Sequence, residues 1–517
     1  MLGLALVGCT SKPPTAAGII GSVKGFAGIV AADEPRAAVA ARDVLTAGGS
    51  AADAAVALYF SLAVTLPSSA GLGGGGICVV HDPRSEQNEA LDFLPRPSPD
   101  GALGMPGNVR GMAALQAKYG RLQWGQLLAQ AEDLARGMTV SRALARELAT
   151  AGTGLLGDNE MRRVFARADG GLPSEGDGVQ QLDLAATIGQ IRRGGAGAFY
   201  TGPLAVRLVD AAQGSRLPLT ADVLRSTVPQ FRAPVSLDIG NETAYFAPPP
   251  ADGGLVGAQL LALLSAGQDY AATAEAERPH LFVEAARRAF GERARWQQAD
   301  GMSSEPPADL LSAAHVQSLM QDYKPQSATP AQSAGAASAG ENPWASGFVV
   351  ADQDGMTVAC EVTLNRLFGS GRMVPGTGVV LAAAPGGSGG FPLGPMMVVK
   401  RDDNGVRFAA AASGGTTATT AEISVYLDSA VLGQPLDAAL AAKRVHHNGT
   451  PDTVFYEEGD TDAVISGLQQ RGHAVAAAGV LGRVNALWCR DGLPNDPETC
   501  QAGSDPRGNG LAILQSE

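Results

Sequence analysis

"ENPWASGFVVADQDGMTVACEVTLN", residues 341–365, is the stretch on which the reading of this chain turns. Two alternating apolar runs flank Asp354-Gly355, a hairpin signal. Upstream lies "PQSATPAQSAGAASAG", residues 325–340, whose low complexity reads as a mobile linker. Trp344-Ala345-Ser346-Gly347 stand at the junction. A linker that feeds straight into a strand poses a chemical question. Ser346 is either a nucleophile that a cut would unmask or an exposed residue at the end of a linker.

Working outward, 517 residues exceed one ordinary core, though a single large layered domain fits the length. Hydrophobic residues make up 45%, enough for extensive burial, and few are aromatic. The net charge is −13, from 51 acidic and 38 basic residues, with no Lys/Arg-rich run. Nucleic acid is therefore excluded as a partner, and so is an anionic membrane surface; a small molecule is expected.

The N-terminal "MLGLALVGCTSKPP" holds a short apolar run ending Leu6-Val7-Gly8-Cys9, which resembles a bacterial lipobox. The run is far below the roughly 20 residues of a membrane-spanning helix and lacks a basic leader. It reads as the end of a lipoprotein signal from a start codon set too far downstream, with Cys9 as the lipidated residue. The polar residues behind it read as a tether, which places the protein in the cell envelope with membrane contact through the lipid alone. A buried first strand with an incidental Cys is the plainer alternative. Cys489 and Cys500 span the turn-rich "CRDGLPNDPETC" and read as a disulfide in an oxidising compartment. Cys78 and Cys360 sit in apolar strand-like runs and are expected to be buried thiols. The six His and five Cys form no metal-ligand spacing, so neither a metal nor a cofactor is expected.

Residues 36–49 carry apolar positions at helical spacing and stop at a Gly pair. "SAADAAVALYFSLAVTLP" predicts a second helix, apolar all round and so buried between layers, starting at a Ser cap and ending before Pro67. Residues 107–150 and 179–212 read as largely helical, and "ERPHLFVEAARRAFGERARW" as a strong amphipathic helix. Strands return after the linker, with a further turn at Asn404-Gly405. Helices, then hairpins, then helices again argue against a βαβ array.

Two motifs mislead. "GLGGGG", residues 71–76, satisfies a dinucleotide fingerprint, but the order is helix, glycines, strand, the reverse of what that site requires. "GGSGG", residues 386–390, satisfies a nucleophile elbow around Ser388, yet Phe391-Pro392-Leu393-Gly394-Pro395 cannot open the helix an elbow needs. A serine esterase at Ser388 is a distant alternative.

Many segments, taken in order, resemble the γ-glutamyltransferase (glutathione hydrolase) family from about Ala27 to Leu511. They include "GIVAADEPRAAVAARDVLTAGGSAADAAVAL", "LPSSAGLGGGGICVVHD", "ALDF", "GMPGNVRGMAAL", "KYGRLQW", "APPPADGGL", "LFVEAARRAFGERARW", "FGSGRMVPGTGVVL", "SGGTT" and "SDPRGNG". The resemblance implies an α+β fold, a four-layer αββα N-terminal-nucleophile sandwich with two stacked antiparallel sheets. It implies a precursor that cuts itself once after the linker and exposes a Thr. That hydroxyl attacks a γ-glutamyl amide while its own α-amino group, with a pKa of roughly 7.7–8.0, takes the proton. The segments expected are a signal and tether at 1–26, a large-subunit-like region at 27–324, a processing linker at 325–345 and a small-subunit-like region at 346–517. The last three belong to one fold.

By the same resemblance, Thr363 matches the residue that hydrogen-bonds the nucleophile and Asn365 an amide at the substrate. Gly414 and Gly415 match a backbone oxyanion pair. Thr416 and Thr417 are given no role. Departures gather elsewhere. The nucleophile position falls on Ala345, with Ser346 one residue later; the Arg expected after "ALDF" is Leu94, with Arg96 displaced by two. Groups expected to hold the substrate's α-amino end are replaced by "AAAPGGS", and a serine pair by "FPLG". Three readings follow. One is an amidohydrolase or acyltransferase using Ser346, aided by Thr363, on a substrate other than a γ-glutamyl zwitterion. Another is a typical γ-glutamyltransferase; the last is a non-catalytic, unprocessed binding lipoprotein. A one-residue shift on a strand turns a side chain to the opposite face, so Ser346 works only if it precedes the regular strand.

Overall fold

The computed structural model describes residues 25–214, 217–267, 269–298, 303–330, 345–385, 390–459 and 462–515. Cys9, Ser388 and residues 331–344 lie outside this set.

Two antiparallel sheets are stacked face to face. The first runs Leu511–Gln515, Gly28–Ala32, Ala345–Asp352, Thr357–Thr363, Gly75–Asp82, Gln87–Asp92, Gln230–Arg232. The second runs Cys500–Ser504, Arg483–Leu493, Val406–Ser413, Met396–Lys400, Glu242–Phe246, Val235–Ile239. Period-two alternation sends each strand's side chains to two different cores. On Ala345–Asp352, Phe348 and Val350 join a cluster with the helices Pro35–Thr46 and Ala51–Thr65, whereas Val349 and Ala351 join one between the sheets. The helices Asp252–Ala262, Arg278–Gly291 and Thr416–Tyr426 cover the second sheet's outer face. The result is the four-layer αββα sandwich.

Local signals explain the elements around the start of the Ala345–Asp352 strand. Ser50 accepts from Asp53 N (3.1 Å) while the Asp53 carboxylate accepts from Ser50 N (3.1 Å), closing a capping box at the head of a wholly buried helix. That helix stops at Pro67, as the pattern predicts. The glycine loop serves close packing: a Cβ on Gly74 would stand 2.3 Å from the Thr363 carbonyl oxygen. The two long helical stretches break into shorter helices, Asn108–Tyr119, Trp124–Leu127, Ala129–Arg136 and Arg142–Ala151 in the first case. Gly355 and Asn404 adopt positive φ (89° and 55°) at the two hairpin turns.

One expectation is overturned. Cys78 and Cys360 are not thiols but a disulfide, directly opposed in the register of neighbouring strands with Cα atoms 4.0 Å apart. They stand 282 residues apart in the chain, so spacing carried no hint of the pairing. Cys489 and Cys500 also form a disulfide, across the Arg483–Leu493 and Cys500–Ser504 strand pair.

Candidate active site

The hairpin that opens after the linker sets the geometry. Ala345 pairs with Thr363 and Ser346 with Val362, so both residues already belong to the regular ladder. Ala345, 8% exposed, packs with Ile77, Leu94, Ala247, Ala251, Phe391 and Leu393. Ser346 shares its alternation with Phe348 and Val350, the set that packs on the helices. It is fully buried, and its hydroxyl donates to Asp33 Oδ2 at 3.0 Å. Asp33 is pinned in turn: Oδ2 accepts from Gly347 N (3.0 Å) and Oδ1 from Asn485 Nδ2 (2.7 Å). Ser346 and Thr363 thus stand on opposite faces of the hairpin. The expectation that Thr363 orients the Ser346 hydroxyl needs both on one face, and in this uncut arrangement they are not.

Thr363 is buried on the between-sheet side, and its Oγ1 accepts from Asn365 N at 2.9 Å. Asn365 sits at φ 63°, a left-handed conformation that Asn tolerates better than most residues. Its amide Nδ2 donates to the carbonyls of Ala383 (2.9 Å) and Pro95 (3.3 Å). Asn365 therefore ties together the two segments in which the substrate-binding replacements lie.

Gly414 and Gly415 (φ 138° and 64°) end the Val406–Ser413 strand and open the helix Thr416–Tyr426. A Cβ on Gly414 would meet Thr417 Oγ1 at 2.6 Å and Gly482 Cα at 2.8 Å, so the turn requires glycine. Thr417 Oγ1 donates to Gly414 O at 2.9 Å, which gives this threonine a concrete structural task. The sheets touch three residues before the pair, where a Cβ on Gly347 would be 2.7 Å from the Ala411 carbonyl. The Ala345 face and the glycine turn consequently belong to one end of the sandwich.

Arg96 turns back on its own segment. Its Nη2 donates to the buried Asp92 at 2.6 Å, and Arg232 stands 3.9 Å from the same oxygen. Leu94, 1% exposed, fills the apolar cluster beside Ala345.

The sequence reading missed two groups here. Asp33 and Asn485 hold residues 346 and 347 in place. Between the sheets, Glu361 accepts from Ala412 N (2.8 Å) and Gly394 N (2.9 Å) and faces Glu422 of the Thr416–Tyr426 helix. Burial pushes Glu361 up to about 7; burial and the neighbouring Glu361 push Glu422 well above the usual carboxyl range. Glu361 straps the strand leading to Gly414 onto the hairpin, and burial favours the protonated form of both carboxyls. A lone Glu in "VACEVT" and another in "TTAEIS" were the available signals.

Sequence comparison now bears on this geometry. The family profile for gamma-glutamyltranspeptidase matches residues 37–102, 94–384 and 392–514. The chain belongs to the γ-glutamyltranspeptidase family. It is 27% identical over 536 residues to a glutathione hydrolase proenzyme of Escherichia coli (strain K12), covering 94% of this chain and 91% of that one. A glutathione hydrolase proenzyme of Pseudomonas aeruginosa is 28% identical, with 94% of each chain covered. Among solved structures, the γ-glutamyltranspeptidase of Helicobacter pylori superposes with a TM-score of 0.53 at 28% identity, over 62% of this chain and 95% of that one. Cephalosporin acylase from Bacillus halodurans shares the fold throughout, with a TM-score of 0.80 at 24% identity over 99% and 100% of the two chains. Family members of this kind are hydrolases and transferases of amides, and this γ-glutamyltranspeptidase-family chain carries their fold over its whole described length.

Proposed function

We propose that this family member is an amide hydrolase or acyl transferase whose acyl substrate lacks the charged α-amino and α-carboxylate groups of glutamate. The supporting observation is the cluster of Leu94, Ala345, Ile77, Phe391 and Leu393 at the place where a glutamate grip is expected. A carboxylate buried against such a wall without a partner costs several kcal/mol, so an apolar acyl group fits better. Arg96 does not restore the grip, because its guanidinium is engaged by Asp92.

In this reading the bond between Ala345 and Ser346 is cut. The Ser346 hydroxyl adds to the Ala345 carbonyl, the amide becomes an ester, and water opens it. Ser346 then begins its strand, held on one flank only, and is free to turn its hydroxyl from Asp33 towards the Thr363 side. It attacks the substrate carbonyl, its new α-amino group takes the proton, and the Gly414–Gly415 turn faces the oxyanion. Tethering at the cell envelope through Cys9 belongs to the same proposal; it rests on Leu6-Val7-Gly8-Cys9 and predicts detergent partitioning that Cys9→Ser abolishes.

A second reading is favoured by the alternation of the strand itself. Ala345 occupies the cleft side, Ser346 the other, and a chain that never cuts itself would act as a binding protein. Mass measurement decides between the two, and it must be made after reduction, because the Cys78–Cys360 bond joins the two expected fragments. Two fragments, the smaller starting at Ser346, with turnover of apolar acyl anilides above γ-glutamyl anilide, are expected of the enzyme. A single reduced chain after long incubation would refute it.

A further inference from the structure

The geometry points to a second small-molecule site, a pocket for a free α-amino acid, built from the turn Arg471-Gly472-His473. A cavity of about 240 Å³ opens there, walled by Arg287, Thr329, His447, Asp452, Arg471 and His473. It is below the usual ligand-pocket range of about 300–1,000 Å³, which suits a molecule of amino-acid size and is too small for a peptide.

The hydrogen bonds around it show which groups are already spent. Arg287 donates to the carbonyls of Thr329 (2.6 Å) and Pro330 (2.9 Å) and to Asp452 Oδ2 (3.0 Å). His447 Nδ1 accepts from Gly449 N (3.0 Å), so its Nε2 carries the hydrogen and donates to Asp452 Oδ1 (3.1 Å). Both residues are satisfied within the wall.

His473 is different. His280 Nε2 lies 2.9 Å from the Lys324 carbonyl oxygen, which can only accept, so that nitrogen bears the hydrogen. His280 Nδ1 is then bare in the neutral ring, and it meets His473 Nε2 at 2.8 Å. The hydrogen in that contact belongs to His473 Nε2, which leaves His473 Nδ1 a bare acceptor. Burial supports the neutral forms, pushing His280 below its ordinary value and His473 down to about 4. Among the described residues none donates to His473 Nδ1. Two residues away, Arg471 donates to the carbonyls of Pro325 (2.8 Å) and Gly467 (2.9 Å) but forms an ion pair with no described carboxylate.

The cavity wall therefore includes a guanidinium with no ion pair among the described residues and an imidazole with no described donor to its Nδ1, while the Asp452 carboxylate is already held by Arg287 and His447. A carboxylate on Arg471 and an ammonium donating to His473 Nδ1 complete both, and an α-amino acid carries both groups on one carbon. A metal ion fits the same neighbourhood less well, although His280, Glu284 and His473 approach within 4.8 Å of one another. Glu284 is taken by Arg288 at 2.5 Å and by Thr329 at 2.6 Å, with Arg287 at 3.9 Å. Two guanidinium groups on the one carboxylate oppose a cation.

Calorimetric titration of the full chain with L-alanine tests the assignment, with propionate and ethylamine as its two halves. L-alanine is expected to bind with Kd of about 1 mM or tighter, and each half at least about tenfold more weakly. Arg471→Gln should weaken L-alanine about tenfold and Arg471→Lys much less, while both variants keep the wild-type unfolding midpoint. His473→Phe should abolish binding, with the unfolding midpoint again recorded to exclude a folding defect. Absence of heat from wild type at about 10 mM L-alanine, or heat unchanged in Arg471→Gln, would overturn the site. Zinc binding that Glu284→Gln removes and L-alanine does not displace would replace it with a metal centre. None of these readouts depends on cleavage or turnover at Ser346.

Discussion

Replacing both Cys78 and Cys360 by Ala should destabilise the protein more than removing the other disulfide, and the reason lies in the length of chain each bond closes. In the uncut chain, for which Ser346→Ala protein serves, Cys78–Cys360 spans 282 residues and Cys489–Cys500 spans 11; a cut before Ser346 would open the longer loop. On the chain-entropy model the first restrains the unfolded chain by about 5–6 kcal/mol at 25 °C and the second by about 3 kcal/mol. Measured values usually fall to about 2–4 kcal/mol, so a loss of at least about 3 kcal/mol is expected for the long loop. Two buried sulfur atoms also vanish from the helix-side core, at about 1 kcal/mol each if the site does not close up. Guanidinium unfolding without reductant provides the assay, comparing midpoints and slopes for Ser346→Ala protein and the two double variants made in it. Both bonds are buried, so native protein should resist reductant until it unfolds. An equal or smaller loss for the Cys78/Cys360 variant would refute the loop-length reasoning. Four thiols reacting in native, unreduced protein would refute the bonds themselves.

Two further outcomes are expected. Ala345→Thr puts a hydroxyl on the cleft side opposite Thr363 at an overpacking cost of about 1–3 kcal/mol, and should yield a chain cut before residue 345, seen by mass after reduction; a chain that stays whole would show that more than the nucleophile has been lost. Glu422→Gln keeps a donor towards Glu361 but cannot ionise. Burial raises both carboxyls, so their contribution is present below about pH 4.5 and is lost as pH rises through about 7 for Glu361. Unfolding at about pH 5.5 and about pH 8.5 should therefore show the variant gaining on wild type at the higher pH, a tenfold change in proton affinity being worth about 1.4 kcal/mol. A pH-independent difference would count against the raised carboxyls.

The layers were legible because burial leaves a period. The nearly all-apolar run 51–65 announces a helix with protein on every side, and Asp354-Gly355 between alternating runs announces the central hairpin. Order along the chain then carried the family. What could not be read were facts that depend on where a ladder begins or which strands become neighbours. Ser346 changes face according to whether pairing starts at 345 or 347, and local sequence does not fix that point. Cys78 meets Cys360 only because their strands lie side by side, and Glu361 meets Glu422 only because the Thr416–Tyr426 helix folds back beside the hairpin. The His280–His473 contact joins residues 193 apart for the same reason.

The departures from the family pattern gain force from where they fall. Leu94, Ala345, Phe391 and Leu393 are spread over some three hundred positions of sequence, yet all four lie in one small apolar cluster. Their gathering in one small volume supports the proposed change of acyl substrate. The residues that match the family surround this volume rather than fill it. Thr363 fixes the backbone at Asn365, and the Asn365 amide holds the carbonyls of Pro95 and Ala383, the two segments that carry the replacements. A group suited to binding a polar substrate is here spent on bracing the walls. The Glu361–Glu422 strap adds a second brace, tying the hairpin to the strand that leads into Gly414. In the proposed function, the apolar acyl group would sit against this braced cluster of Leu, Phe and Ala. That is why restoring Thr at 345 tests chemistry and restoring Arg at 94 would test specificity: the two losses share one place but serve separate functions.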